Sequence, residues 1–178
     1  MKQLLLVSCL LSLSAILGLP EVKADVRMPL IFGNHMVLQQ DTRITIWGWA
    51  DAGENIEVLF AGQKVRTTAN ADGTWQVKLK PVKTKKKGET LTITGKNKLV
   101  YSDVLVGDVW VASGQSNMEW GIKVRKEYAD DIAHSEDSLL RLFFVPKNTS
   151  LQPLSEIEIP QGTASPERAA RWVLCTPE

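Results

Sequence analysis

From Arg43 to about Leu105 the sequence holds short rows in which apolar residues take every second position. Ile56, Val58 and Phe60 form one such row, Trp75, Val77 and Leu79 a second, and Leu91 and Ile93 a third. Arg43 to Ala50 (RITIWGWA) is β-branched and aromatic. Between these rows lie turn-forming stretches: Ala61-Gly62, Asn70-Ala71-Asp72-Gly73 and Lys87-Gly88. A period of two buries one face of a strand, and turn chemistry at short intervals folds consecutive strands back on each other. The expectation is an N-terminal antiparallel β-sandwich over residues 25–102. Trp47, Trp49 and Trp75 are expected as its bulky core or rim residues.

The character changes at Asp103. Val104 to Ala112 (VLVGDVWVA) is almost continuously apolar, as in a strand covered on both faces. Asn117 to His134 is charged, with Ile122, Tyr128, Ala129 and Ile132 as a thin apolar face, and predicts a helix. Leu139 to Val145 (LLRLFFV) predicts another buried strand, and Trp172 to Cys175 is again apolar. Residues 146–168 carry Pro146, Pro153, Pro160 and Pro166 and read as a long excursion. Strand, turn, helix and strand open an α/β unit. The second expected domain is therefore 103–178, the incomplete start of an α/β domain, with too few strands to cover its own faces.

Residues 1–24 are expected to be a secretory signal peptide. Lys2 precedes the apolar run Leu4 to Leu19, and Val22-Lys23-Ala24 places small residues where a signal peptidase reads. Leu6-Val7-Ser8-Cys9 loosely resembles a lipobox, but almost no apolar segment precedes Cys9. The expected location is therefore exported, periplasmic or secreted, with no membrane span in the mature chain. Beyond residue 24 there are 19 basic and 19 acidic residues, a balance that favours neither nucleic acid nor an anionic membrane as partner. Cys175 is then the one cysteine left, so no internal disulfide staples the fold. No zinc spacing, calcium loop or phosphate-binding glycine loop occurs, and no cofactor or metal is expected.

The chemistry concentrates in Val111 to Gly121 (VASGQSNMEWG). Ser116 follows the expected buried strand and precedes the expected helix. That edge of an α/β sheet is where ligands bind, and helix N-termini offer backbone N–H groups to a developing oxyanion. Gly114 leaves room beside the turn. From the residues alone, Ser116 or Asn117 serving as a helix cap explains the pattern better than a nucleophile does.

The rest of the chain changes that balance. Pro29-Leu30-Ile31-Phe32, Asn34-His35-Met36-Val37-Leu38-Gln39, Ile46-Trp47-Gly48-Trp49-Ala50 with Gly53-Glu54, and Ala71-Asp72-Gly73-Thr74-Trp75 come in order. Asp103 to Trp110 then leads into Ser113-Gly114-Gln115-Ser116-Asn117-Met118-Glu119, and Arg141-Leu142-Phe143, Trp172 and Cys175-Thr176-Pro177-Glu178 follow. Together these stretches resemble the sialate O-acetylesterase family, carbohydrate-active serine esterases with a hydrolase domain of SGNH type. The resemblance implies that Ser116 is the nucleophile that attacks the acetyl carbonyl of an O-acetylated carbohydrate. It implies an oxyanion contact from the backbone N–H of Ser116. Gly114, Gln115 and Asn117 would shape the pocket.

The family's late Asp-x-x-His, which supplies the base, has no counterpart here, nor do its downstream glycine and asparagine of the oxyanion hole. The two histidines are His35 and His134. His35 is expected as a turn residue and His134 as a solvated helix end. A serine without its base loses several orders of magnitude in rate, so the 178-residue chain alone is expected to be inactive or nearly so. Two other readings remain open. One is an esterase of acetylated plant polysaccharide. The other is a non-catalytic carbohydrate- or partner-binding β-sandwich. Lys83 to Lys87 (KTKKK) is expected as a solvated hairpin loop, Asp130-Asp131 and Glu136-Asp137 as surface charge, and Asn148-Thr149-Ser150 is a glycosylation sequon.

Overall fold

The computed structural model describes residues 25–119, 121, 125–163 and 169–176. The expected signal peptide, 1–24, lies outside the described residues. The rows of alternating residues form strands. β1 is Val37–Gln39, β2 Ile44–Trp49, β3 Asn55–Phe60, β4 Gln63–Thr68, β5 Thr74–Leu79, β6 Lys85–Thr94 and β7 Lys98–Gly107. β8 (Asp137–Phe143) and β9 (Trp172–Cys175) follow a short helix, α1 (Ala129–Ala133).

The strands make a five-stranded sheet in the order β1-β7-β6-β3-β4, a two-stranded sheet β2-β5 and a two-stranded ribbon β8-β9. One buried cluster joins the first two sheets. Ile44 and Ile46 of β2 and Trp75, Val77 and Leu79 of β5 meet Ile56, Val58 and Phe60 of β3, Leu91 and Ile93 of β6, and Val104 and Val106 of β7. Each contributes every second residue, so the alternation read in the sequence is the inward face of the strands. The β3–β4 hairpin turns through Ala61 and Gly62, with φ of 49° and 75°. Two successive positive φ values suit the right-handed twist of the flanking strands.

Several expectations are corrected. The large sheet is mixed rather than antiparallel, because β1 runs parallel to β7, with Val37 opposite Leu105. Val104 to Ala112 is not one strand. Residues 104–106 are buried in β7, as expected of a strand covered on both faces, but the strand ends at Gly107. Trp110 and Val111 are 89% and 90% exposed. Dividing the chain at Asp103 thus cuts through β7.

The expected helix over 117–134 is replaced, within the described residues, by two 3-10 turns, Ser116–Glu119 and Lys126–Tyr128, and the five-residue α1. α1 buries none of its residues, so nothing packs a longer helix into place. β8 forms where expected but is not buried: Leu139, Leu140 and Leu142 are exposed. Lys85 to Lys87, expected in a loop, open β6, where Lys85 pairs with Val106 and forms an ion pair with Glu89. Their side chains are exposed, so the strand keeps them in water. Among the described residues no helix is long and apolar enough to cross a membrane.

Candidate functional site

Eight residues separate the end of β7 from Ser116. Gly114, Gln115, Ser116 and Asn117 are all exposed. The turn is closed by the N–H of Met118, which donates to the carbonyl of Gln115 at 2.9 Å. A β-carbon at position 114 would stand 2.8 Å from Cγ of Met118, so the missing side chain of Gly114 makes room for the methionine folded over it. The helix expected after Ser116 is only the four-residue 3-10 turn that Ser116 begins. The four residues of the motif therefore sit together on one short, open turn.

Neither histidine is hydrogen-bonded to Ser116. His134 follows α1, and its Nδ1 lies 2.7 Å from the carbonyl oxygen of Asp130, which makes it a helix-end residue as expected. His35 has a φ of 64°, the left-handed conformation of a turn. Its Nδ1 donates to Oδ2 of Asp103 at 2.8 Å.

Asp103 also accepts from Nη2 of Arg141 at 2.9 Å. The hydrogen bond from His35 and the charge of Arg141 hold its carboxyl below the ordinary carboxylate range. The Arg141 side chain is only 4% exposed, and its Nε is buried without a hydrogen-bond partner among the described residues. This cluster joins the segment before β1, the middle of β7 and the middle of β8. Sequence reasoning missed it, yet one signal was present: Arg141 is the single charge within LLRLFFV. A lone charge in an apolar strand needs a partner.

The tryptophans also separate. Trp75 is buried in the core, and Trp49 carries the guanidinium of Arg27 over its ring at 4.4 Å. Trp47 is exposed. Among the described residues no group of three His, Cys, Asp or Glu side chains is placed to hold a metal ion.

No protein-family profile matches the chain. It is 32% identical over 141 residues to a sialate O-acetylesterase of Mus musculus, a match covering 71% of this chain and 26% of the relative. With the sialate O-acetylesterase of Rattus norvegicus it shares 34% identity over 141 residues, covering 70% and 25%. Its fold is similar to the crystal structure of a carbohydrate acetylesterase from Xanthomonas citri. There the TM-score is 0.75 and the identity 34%, over 85% of this chain and 33% of that one. The chain thus spans about a quarter of the length of the curated relatives it matches. Agreement of both sequence and fold with carbohydrate acetylesterases places this chain in a sialate O-acetylesterase-like family.

Proposed function

We propose that the chain carries the nucleophile of an exported carbohydrate O-acetylesterase. In this reading the two sheets with their shared core are an accessory β-sandwich, and the residues beyond β7 open a hydrolase domain of SGNH type. Residues 1–24 would direct export.

The observation that carries the reading is the position of Gly114-Gln115-Ser116-Asn117. The motif lies on an exposed turn, separated by six residues from the end of β7, in a chain similar to carbohydrate acetylesterases in sequence and fold. Oγ of Ser116 attacks the acetyl carbonyl carbon while its proton passes to a general base. The carbon–oxygen bond to the sugar breaks, and the sugar alkoxide takes up the proton. Water then attacks the acetyl-serine ester and releases acetate. The backbone N–H of Ser116 is the first candidate to stabilise the oxyanion. Neither His35 nor His134 is hydrogen-bonded to Ser116, so in this reading the base comes from another part of the protein.

The test is acetate release from O-acetylated sialic acid and from acetylated xylan, using protein expressed from the full open reading frame in which Glu178 lies. Replacing Ser116 by Ala should lower the rate by about 10³-fold or more. Acetate release that ignores Ser116→Ala would overturn the assignment. The absence of any histidine contact to Ser116 among the described residues favours a second reading, a binding module without turnover. Sugar binding with no acetate release from that protein would support it.

A further inference from the structure

Trp47 stands on the face of β2 opposite to Ile44 and Ile46, whose side chains enter the core. On a strand that buries alternate residues, an exposed tryptophan on the outer face is the residue that needs an explanation. Its ring is held in place by Phe32, which meets it edge-on with centroids 4.7 Å apart and planes at 75°. The indole, 38% exposed, lines a groove of about 380 Å³ between the outer face of β2, the segment before β1 and the excursion after β8. A volume of this size falls in the range of small-ligand sites, roughly 300–1,000 Å³.

The groove is lined by apolar Ile31 and Leu154 beside Trp47, and by polar Asn148, Glu156 and Glu158. Those polar groups are oriented by the fold. Both oxygens of Glu156 accept from the N–H of Leu30, at 3.1 and 3.2 Å, and Asn148 donates to Oε2 of Glu158 at 2.8 Å. Oε1 of Glu156 also accepts from the N–H of Ile157 at 2.7 Å. With about four acceptor positions on an ionised carboxylate, Glu156 can still accept about one more hydrogen bond and Glu158 several. No lysine or arginine is among the described residues that line the groove. A fitting ligand has a flat apolar face for the indole, several hydroxyl donors for the carboxylates and no negative charge.

We propose that this groove is a binding subsite for an uncharged pyranose unit of a polysaccharide. The apolar ring face would lie on Trp47 and the hydroxyls would donate to Glu156 and Glu158. The proposal rests on the carbohydrate-esterase reading and narrows it, because two carboxylates repel an anionic sugar such as sialate. Ser116 does not line the groove. The subsite would therefore hold a neighbouring unit of the chain rather than the acetyl group.

The test separates this subsite from the esterase reading by using unacetylated sugars and the Ser116→Ala protein. Xylohexaose, mannohexaose and sialyllactose are titrated in turn, with tryptophan fluorescence and calorimetry as readouts. At least one neutral hexasaccharide should saturate with a Kd of about 0.1–1 mM, and sialyllactose should bind about tenfold more weakly or not at all. Trp47→Ala should weaken the neutral ligand about tenfold, and Trp47→Phe should retain binding within about threefold. The double variant Glu156→Gln, Glu158→Gln should bring sialyllactose within about threefold of the neutral sugar, a change that lost packing alone would not produce. Failure of both neutral sugars to saturate, unaltered binding by Trp47→Ala, or a preference for sialyllactose would overturn the proposal. Acetate release without this binding would remove the subsite and leave the esterase. Binding without acetate release would do the reverse.

Discussion

Asp103 and His35 are 68 residues apart in sequence and joined by a 2.8 Å hydrogen bond, each with a backbone in the left-handed region, at φ of 52° and 64°. The same carboxylate holds the buried guanidinium of Arg141. Asparagine tolerates the left-handed backbone as aspartate does, so Asp103→Asn removes the charge with little backbone cost. It leaves Arg141 buried without its anion. A fully buried pair broken in this way costs about 3–5 kcal/mol. The Asp103 side chain is 37% exposed and solvent screens it, so about 1–2 kcal/mol is expected in denaturant unfolding.

The pH dependence has a definite sign. A carboxyl held below its ordinary value of 3.8 contributes stability above that value, and the contribution fades as pH falls through the depressed one. The stability difference between wild type and Asp103→Asn should be present near neutrality and shrink below about pH 4. A difference that grows on acidification would contradict the ion-pair account.

Gly88 tests the same corner from β6. A β-carbon there would lie 2.2 Å from Oδ1 of Asp103 and 2.7 Å from its Cα. The β6–β7 register shifts between Lys85 and Glu89 and again between Glu89 and Leu91, so the strands are bulged around this approach. Backbone atoms cannot swing aside as a side chain can. Gly88→Ala is expected to cost about 1–3 kcal/mol, seen as a lower melting temperature, despite adding only one methyl group.

The β8–β9 ribbon is tied to the β-rich part at few points. Nε1 of Trp172 donates to the carbonyl of Ile31 at 2.7 Å, and its ring packs against Phe143 with centroids 5.2 Å apart. Trp172→Phe keeps a ring and loses the hydrogen bond, at about 1 kcal/mol. Trp172→Ala loses both and should raise amide exchange in β8 and β9 while β3 and β6 stay protected. Uniform loss of protection would show that the ribbon and the large sheet unfold as one unit.

Residues 108–178 expressed alone should not unfold cooperatively. Leu139, Leu140, Leu142, Phe144 and Val145 are exposed even within the whole chain, and without Asp103 the guanidinium of Arg141 loses its anion. Dye binding, aggregation and a broad thermal transition are the expected readouts. A sharp transition would mean that this part carries a core of its own.

Most of the fold between β2 and β7 was legible because its signal is local. Ile56, Val58 and Phe60 alternate in the sequence and line the core in the structure. The serine motif was legible as a resemblance, but the buried strand expected to run up to it stops at Gly107, with eight residues between it and Ser116. The helix after it was overestimated. Periodicity in a charged stretch forms a long helix only when something packs on its apolar face, and α1 buries nothing.

By itself the sequence determined which residues of β3, β5 and β6 turn inward, that β3 and β4 close through Ala61-Gly62, and which family the chain resembles. Those properties depend on side-chain period, turn chemistry and residue identity, all readable within a few positions. The turn expected at Lys87-Gly88 lies instead within β6. Only the tertiary structure decided that β1 lies parallel to β7, that the strand stops at Gly107 and that His35, Asp103 and Arg141 meet. It also left Trp47 facing a groove while Trp75 fills the core. These outcomes are contacts between distant segments. They are set by which surfaces can be buried together and which charges must then be paired, and no local pattern encodes that choice.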